Sequence, residues 1–167
     1  MGFAMMVMRA QAAGRPFARY WMHSAWVTQA GEKMSKSLGN TADVGSAVAR
    51  YGGRAVRLYL AGPHYRSTIE LSDAALADAA TQLARLDGFL DRAGRLLGAA
   101  HPDGLGVFSD RTSEHWQRFA ASMDDDLGTP GALAELFTVV REGNQAVAAG
   151  DEAAVAEVLG TLSVTVE

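Results

Sequence analysis

Lys33 and Lys36 are the only two lysines in the chain; its other thirteen strongly basic residues are all arginine. They stand three residues apart in the stretch GEKMSKSLGN, residues 31–40, among serines and glycines. Lysine is a compact, mobile point charge on a long stem, so two of them at i and i+3 in such a loop can reach one polyanion. Ser35 and Ser37 add hydroxyl donors, and Gly39 lets the backbone bend close to a ligand. In a phosphate-transfer or nucleotidyl-transfer step, charge builds on the departing pyrophosphate. A lysine that meets it only then lowers the barrier, where a contact made throughout would merely tighten binding. The same letters also describe a solvated turn with two surface lysines, and the residues alone leave both readings open.

Such a loop needs rigid elements on either side. From Tyr20, the run YWMHSAWVT is aromatic and β-branched, QAGE is a turn signal, and KMS can return as a second strand, which predicts a hairpin over about 20–36. Upstream, residues 8–13 suit a helix broken at Gly14 and Pro16. Downstream, Thr41 or Asp43 is placed to cap a helix that runs through Tyr51 and stops at Gly52 and Gly53. A second helix from Arg54 to Ala61 carries Val56, Tyr59 and Leu60 on one side and ends at Gly62 and Pro63. HYRSTIELS is a short extended link.

The second half is helical by pattern. Ser72 with Asp73 starts a long helix whose apolar face is Leu76, Leu83, Leu86, Leu90, Ala93 and Leu97. After the loop GAAHPDGLG, Thr112 or Asp110 opens a helix with Trp116, Phe119, Ala120 and Met123. MDDDLGTPGAL then marks a boundary, with Thr129 as N-cap and Pro130 at the first helical position. Leu133, Leu136, Phe137, Val140 and Val147 form the next stripe, Gly150 closes it, and Asp151 caps a last helix to about Leu162. The expected fold class is mainly α with a small α/β part. A hairpin-containing region at 1–70 carries the lysine loop, and an antiparallel helical bundle comes after it at 71–167.

Composition narrows the function. At 167 residues, 49% of them hydrophobic, the chain can bury a real core as one domain or one domain with an appendage. Its formal net charge of −4 argues against an indiscriminate nucleic-acid binder, though not against a local basic patch. With no cysteine, disulfides and thiolate-bound metals are excluded. The four histidines, His23, His64, His101 and His115, are too scattered to suggest a metal clamp. No apolar run is long enough to cross a membrane, and the start MGFAMMVMRA lacks the layout of a secretory signal, so the expected location is the cytoplasm. The Met-rich N-terminus carries an apolar patch at Met5 to Met8 that would be an interface for a second copy or a complementary chain.

The five residues Lys33, Met34, Ser35, Lys36 and Ser37 match the second signature of class I aminoacyl-tRNA synthetases in every position. FARYWMHSAWVTQAGEKMSKSLGN resembles the approach to that loop in cysteinyl-tRNA synthetases. AVRLYLAGPHYRSTIELSDAALADA and MDDDLGTPGALAELFTVVREGNQAV resemble the segments after the loop in the same family, so the resemblance covers nearly the whole chain. An actinobacterial enzyme that joins cysteine to a glucosaminyl-inositol shares this framework and is the nearer competitor.

The resemblance implies that Lys36 contacts ATP phosphates, that Lys33 is a weaker partner, and that Ser35 and Ser37 shape the loop. It also implies Mg-ATP as cofactor and tRNA-Cys as partner. The family holds a zinc ion with two Cys, one His and one Glu, but the positions that correspond to its His and Glu fall near Ala4 and Met8. No metal ligand is therefore expected here. Nor is there an HIGH-type signature, and the segment that reads the anticodon lies beyond Glu167. Three readings stand: a truncated or degenerate synthetase inactive alone, a split-enzyme subunit completed by another chain, or a non-catalytic tRNA-binding module using Arg50, Arg54, Arg57 and Arg66. His64, Tyr65 and Arg66 suit a packed junction. His23 is expected as a satisfied hairpin side chain. Asp124, Asp125 and Asp126 suit a helix dipole better than Mg²⁺.

Overall fold

A computed structural model of the chain describes residues 12, 14, 16–29, 31–33, 44–98 and 113–162. Among these, a three-stranded sheet of order β2-β1-β3 is joined to six helices. Strands β1 (Val27–Gln29) and β2 (Glu32–Lys33) form the hairpin, with Thr28 opposite Lys33 and Gln29 opposite Glu32. It is shorter than its sequence suggests: residues 20–26 are not strand, and Tyr20, Trp21, Met22 and Trp26 are exposed. Aromatic and β-branched residues become strand only where a partner edge exists, and β3 (Ile69–Glu70) offers just two residues. β3 lies parallel to β1, with Val27 opposite Ile69. Ile69 N donates to Trp26 O at 3.0 Å and Leu71 N to Thr28 O at 2.7 Å. The segment expected as a plain extended link thus supplies the third strand.

Helix α1 spans Val44–Tyr51, and Gly52, at φ 83°, separates it from α2, Gly53–Ala61. Gly53 is therefore the first residue of α2 rather than part of the stop. On α2 the buried residues are Ala55, Val56 and Tyr59, whereas Leu60 is 48% exposed, because the face that packs on the next helix is set by positions 55, 56 and 59. The expected caps for α1, Thr41 and Asp43, lie outside the described residues.

Helix α3, Asp73–Leu97, starts where Ser72 accepts a hydrogen bond from Ala75 N at 3.2 Å. Its 25 residues extend about 37 Å and take part in two cores. Leu76 and Ala79 pack with Val56 and Tyr59 near the sheet; Leu86, Phe89, Leu90 and Ala93 pack into the bundle with Val139, Val140, Val155 and Leu162. The heptad-like stripe omits Phe89, the most deeply buried large side chain of this helix. It meets α5 at Gly143, where an added Cβ would stand 2.5 Å from the Phe89 ring and 2.8 Å from Val158 Cγ1. Only a glycine lets these three elements approach so closely.

The bundle is completed by α4 (Glu114–Asp124), α5 (Thr129–Ala149) and α6 (Glu152–Leu162). The cap of α4 is Ser113, whose oxygen accepts from Trp116 N at 3.1 Å, and not Thr112 or Asp110. Asp151 caps α6 as expected, through Ala154 N at 3.0 Å. At α5 the N-cap is Gly128 rather than Thr129, whose hydroxyl instead donates across the chain to Pro63 O at 3.2 Å. α4 and α5 are also bridged by charge: His115 contacts Glu135 and Glu142, and Arg118 lies 3.0 Å from Glu135. Burial pushes the Glu135 carboxyl up, but hydrogen bonds from Arg118 and His115 outweigh it and leave the group below its ordinary range.

Candidate functional site

Lys33 ends β2, and Met34, Ser35, Lys36 and Ser37 come after it, outside the described residues. What the structure describes is the root of that loop. Glu70, on β3, accepts a hydrogen bond from the Thr28 hydroxyl and, through Oε1, one from Gly31 N at 3.3 Å. One carboxylate therefore ties the central strand and the hairpin turn to the parallel strand. Behind it, Tyr59 Oη donates to Glu70 O at 2.8 Å, which fixes β3 to α2; burial raises the Tyr59 hydroxyl above its ordinary value. The loop is thus launched from a three-strand sheet that is itself pinned to the first helical core.

A second cluster joins this region to the bundle. His64, Tyr65 and Arg66 converge on Asp126, in the turn between α4 and α5. Arg66 Nε donates to Asp126 Oδ2 at 2.7 Å, Tyr65 Oη to Oδ1 at 2.6 Å, and His64 Nε2 lies 2.9 Å from the Asp126 carbonyl. Arg66 also stacks over the Tyr65 ring at 5.1 Å. The turn is forced into shape: Asp126 and Leu127 have φ of 51° and 56°. Asp tolerates that region, but for Leu it carries strain of about 1–3 kcal/mol. Gly128 N donates to Ser122 O at 2.9 Å, and a Cβ at Gly128 would lie 2.5 Å from that oxygen. These residues form the packed junction expected of His64, Tyr65 and Arg66. The Asp126 carboxylate, expected as a charge before the next helix, also engages Arg66 and Tyr65.

Hydrogen bonds from Arg66, then from Tyr65, hold the Asp126 carboxyl below its usual range. A depressed carboxylate contributes stability above its unfolded pKa, about 3.9, and that contribution is lost as pH falls through the lower folded value. Asp126→Asn is therefore expected to lower Tm at pH 7. The gap from the parent chain should narrow steadily below about pH 4. A gap that stays constant from pH 7 to 3 would show that the carboxylate charge contributes nothing.

The arginines proposed from sequence are mostly engaged within the chain. Arg50 pairs with Asp73 at 2.7 Å, and Arg54 donates to both oxygens of Asp87 at 2.8 and 3.0 Å. Arg66 is held by Asp126, and Arg57 is exposed on α2. His23 lies exposed ahead of β1 and not inside a strand pair, because the hairpin starts later than expected. Among the described residues no group of three His, Asp or Glu is arranged to hold a metal ion, and the chain has no cysteine. A zinc ion held partly by thiolates therefore does not fit this donor set. Sequence reasoning missed Glu70 as a site-positioning residue, although Ile69 and Leu71 inward with Glu70 outward is the period-2 signal of a strand.

Two family models match the chain. Residues 5–81 match the model described as tRNA synthetases class I (C) catalytic domain, and residues 118–165 match the DALR domain. A cysteine–tRNA ligase of Cutibacterium acnes is 50% identical over 148 residues, covering 84% of this chain and 28% of that protein. One from a Nocardioides species is 49% identical over 146 residues, covering 87% of this chain and 29% of that protein. The chain therefore spans under a third of the length of these curated relatives. Among solved structures, a LeuRS of Agrobacterium radiobacter K84, in a ternary complex with tRNA and LeuAMS, superposes with a TM-score of 0.63 at 21% identity. It covers 84% of this chain and 20% of that one, a likeness of fold. No described helix is long and apolar enough to cross a membrane.

Proposed function

We propose a function from one premise: this chain belongs to the cysteinyl-tRNA synthetase family of class I synthetases. In this reading it serves the ATP-dependent joining of cysteine to tRNA-Cys in the cytoplasm, supplying the phosphate-contacting loop and the helical surface beside it. The observation that carries it is the sequence run Lys33–Ser37, whose first residue ends the hairpin that Glu70 clamps at its turn. Bound ATP, with Mg²⁺, supplies the anhydride that the cysteine carboxylate attacks at the α-phosphorus, with pyrophosphate leaving. Lys36 is the residue assigned to the departing phosphates, with Lys33 as a weaker partner. Ser35 and Ser37 shape the loop, and Met34 completes the signature. The zinc that would select the cysteine thiol has no donors among these residues, and no step is routed through it.

The 167 residues contain neither an HIGH-type signature nor a cysteine. Both halves of such a site must be held within about an ångström of the productive geometry. Cysteine-dependent exchange of labelled pyrophosphate into ATP tests the reading. The chain alone is expected to give none; the chain mixed with the part of the Cutibacterium acnes relative that it does not cover is expected to give exchange. Exchange by the chain alone would mean that adenine and cysteine sites are built from other residues of this sequence. Silence of the mixture would remove the ligase reading and leave a binding module.

A further inference from the structure

The hairpin that launches the lysine loop is too short to fix its own direction. β1 and β2 meet in two register pairs, Thr28 with Lys33 and Gln29 with Glu32, and an isolated two-stranded hairpin is marginally stable at best in water. Thr28 also stands opposite Glu70 on β3. Lys33, Thr28 and Glu70 therefore form one row across the sheet, which puts the first lysine of the run in register with the acid. The Glu70 carboxylate reaches along the hairpin to its turn: one oxygen accepts from the Thr28 hydroxyl, and Oε1 accepts from Gly31 N at 3.3 Å. Gly31, at φ 78°, holds the left-handed conformation that turns the chain back. The base of this clamp is firm, because Tyr59, buried in the first core, donates to Glu70 O at 2.8 Å.

We propose that Glu70 is a positioning residue for Lys36: by tying the hairpin turn to β3, it aims the lysine loop at the departing phosphates. The inference rests on the reading that Lys36 meets the pyrophosphate as it leaves. Lys36 comes three residues after Lys33, so their Cα atoms are at most about 11 Å apart. Over that reach, a tilt of about 10° at the root displaces the lysine by about 2 Å. A misplacement of about 1 Å can cost on the order of 100-fold in rate. Two hydrogen bonds at the root therefore govern a contact that neither of them touches. A carboxylate beside a phosphate-binding run repels the ligand, so its charge is not what the loop uses. What Glu70 supplies is two acceptor oxygens in the right places. Glutamine keeps the geometry: its carbonyl oxygen accepts from Gly31 N, and its amide donates to the Thr28 hydroxyl, whose proton turns to Ile69 O, 3.3 Å away.

The test is cysteine-dependent pyrophosphate exchange in the supplemented reaction for the parent, Glu70→Ala, Glu70→Gln, Lys36→Ala and Glu70→Ala/Lys36→Ala, with amide hydrogen exchange of each chain alone. Glu70→Ala is expected to lower kcat about 10- to 100-fold with KM for ATP within about threefold. Glu70→Gln is expected to bring kcat back to within about threefold of the parent. In the Lys36→Ala background, Glu70→Ala is expected to cost less than about twofold, because a residue that acts through the lysine then has nothing to position. In the chain alone, Glu70→Ala is expected to speed exchange of the Gly31 amide several-fold, while the amides of Leu86 to Ala93 keep their protection. Equal losses in both backgrounds, no loss in the parent background, or a glutamine as damaging as alanine overturns the proposal. An unchanged Gly31 amide overturns it as well, whatever the activity. Silence of the parent mixture counts against the ligase reading, and the Gly31 amide then decides by itself whether Glu70 holds the turn.

Discussion

Lys36→Ala is expected to lower cysteine-dependent pyrophosphate exchange about 100- to 1,000-fold in the supplemented reaction, the scale seen when one preorganised contact to a developing charge is removed. The loss should fall on kcat, with KM for ATP changed little, if the lysine acts as proposed on the charge that develops as pyrophosphate departs. Lys33→Ala is expected to cost about tenfold, and Lys33 is not expected to replace Lys36, since the two occupy different positions of the signature. A Lys36→Ala chain within threefold of the parent would return the pair to surface lysines in a solvated turn. A rise in KM alone would make Lys36 a ground-state binder.

Phe89→Ala is expected to be the most damaging single truncation in the core, at about 3–5 kcal/mol in urea unfolding. The ring is fully buried where α3 meets Gly143 of α5 and Val158 of α6, so its removal empties the point at which three helices touch. Against a typical total of about 5–15 kcal/mol, that is a large share of the fold. The reciprocal change, Gly143→Ala, pushes a methyl into the same ring and is expected to cost about 1–3 kcal/mol. Combining the two should recover part of the loss, because the added methyl enters the space the ring vacates. A loss below 1 kcal/mol for Phe89→Ala would mean that the surrounding helices collapse onto the cavity.

The helices were legible because their punctuation is local. Ser72 and Asp151 are caps by residue type and by hydrogen bond alike, and Gly150 closes α5 in the left-handed conformation. Leu86, Leu90, Ala93 and Val140 were identifiable as core from period alone. What escaped was long-range. The partner of β1 is Ile69–Glu70, in a segment too short to show which strand it meets. Thr129 has the letters of an N-cap, yet its hydroxyl finds Pro63, and the cap shifts one residue to Gly128. Arg50, Arg54 and Arg66 looked available for phosphate because arginine is usually exposed; their acidic partners, 23, 33 and 60 residues further along, belong to the tertiary fold. The lysine loop was found by its letters, and the carboxylate that clamps its root by the coordinates.

The pairing of β1 with β3 joins residues 42 apart in sequence, with all of α1 and α2 between them. Closing so long an interval is slow compared with forming helices, so the sheet assembles on a helical frame that already exists. Native-state amide exchange should separate the two stages: the amides of Ile69 and Leu71 open locally, while those of Leu86 to Ala93 open only when the whole molecule does. A newly made chain would acquire the sheet at the root of its lysine loop last, after its helices have passed their own test of packing.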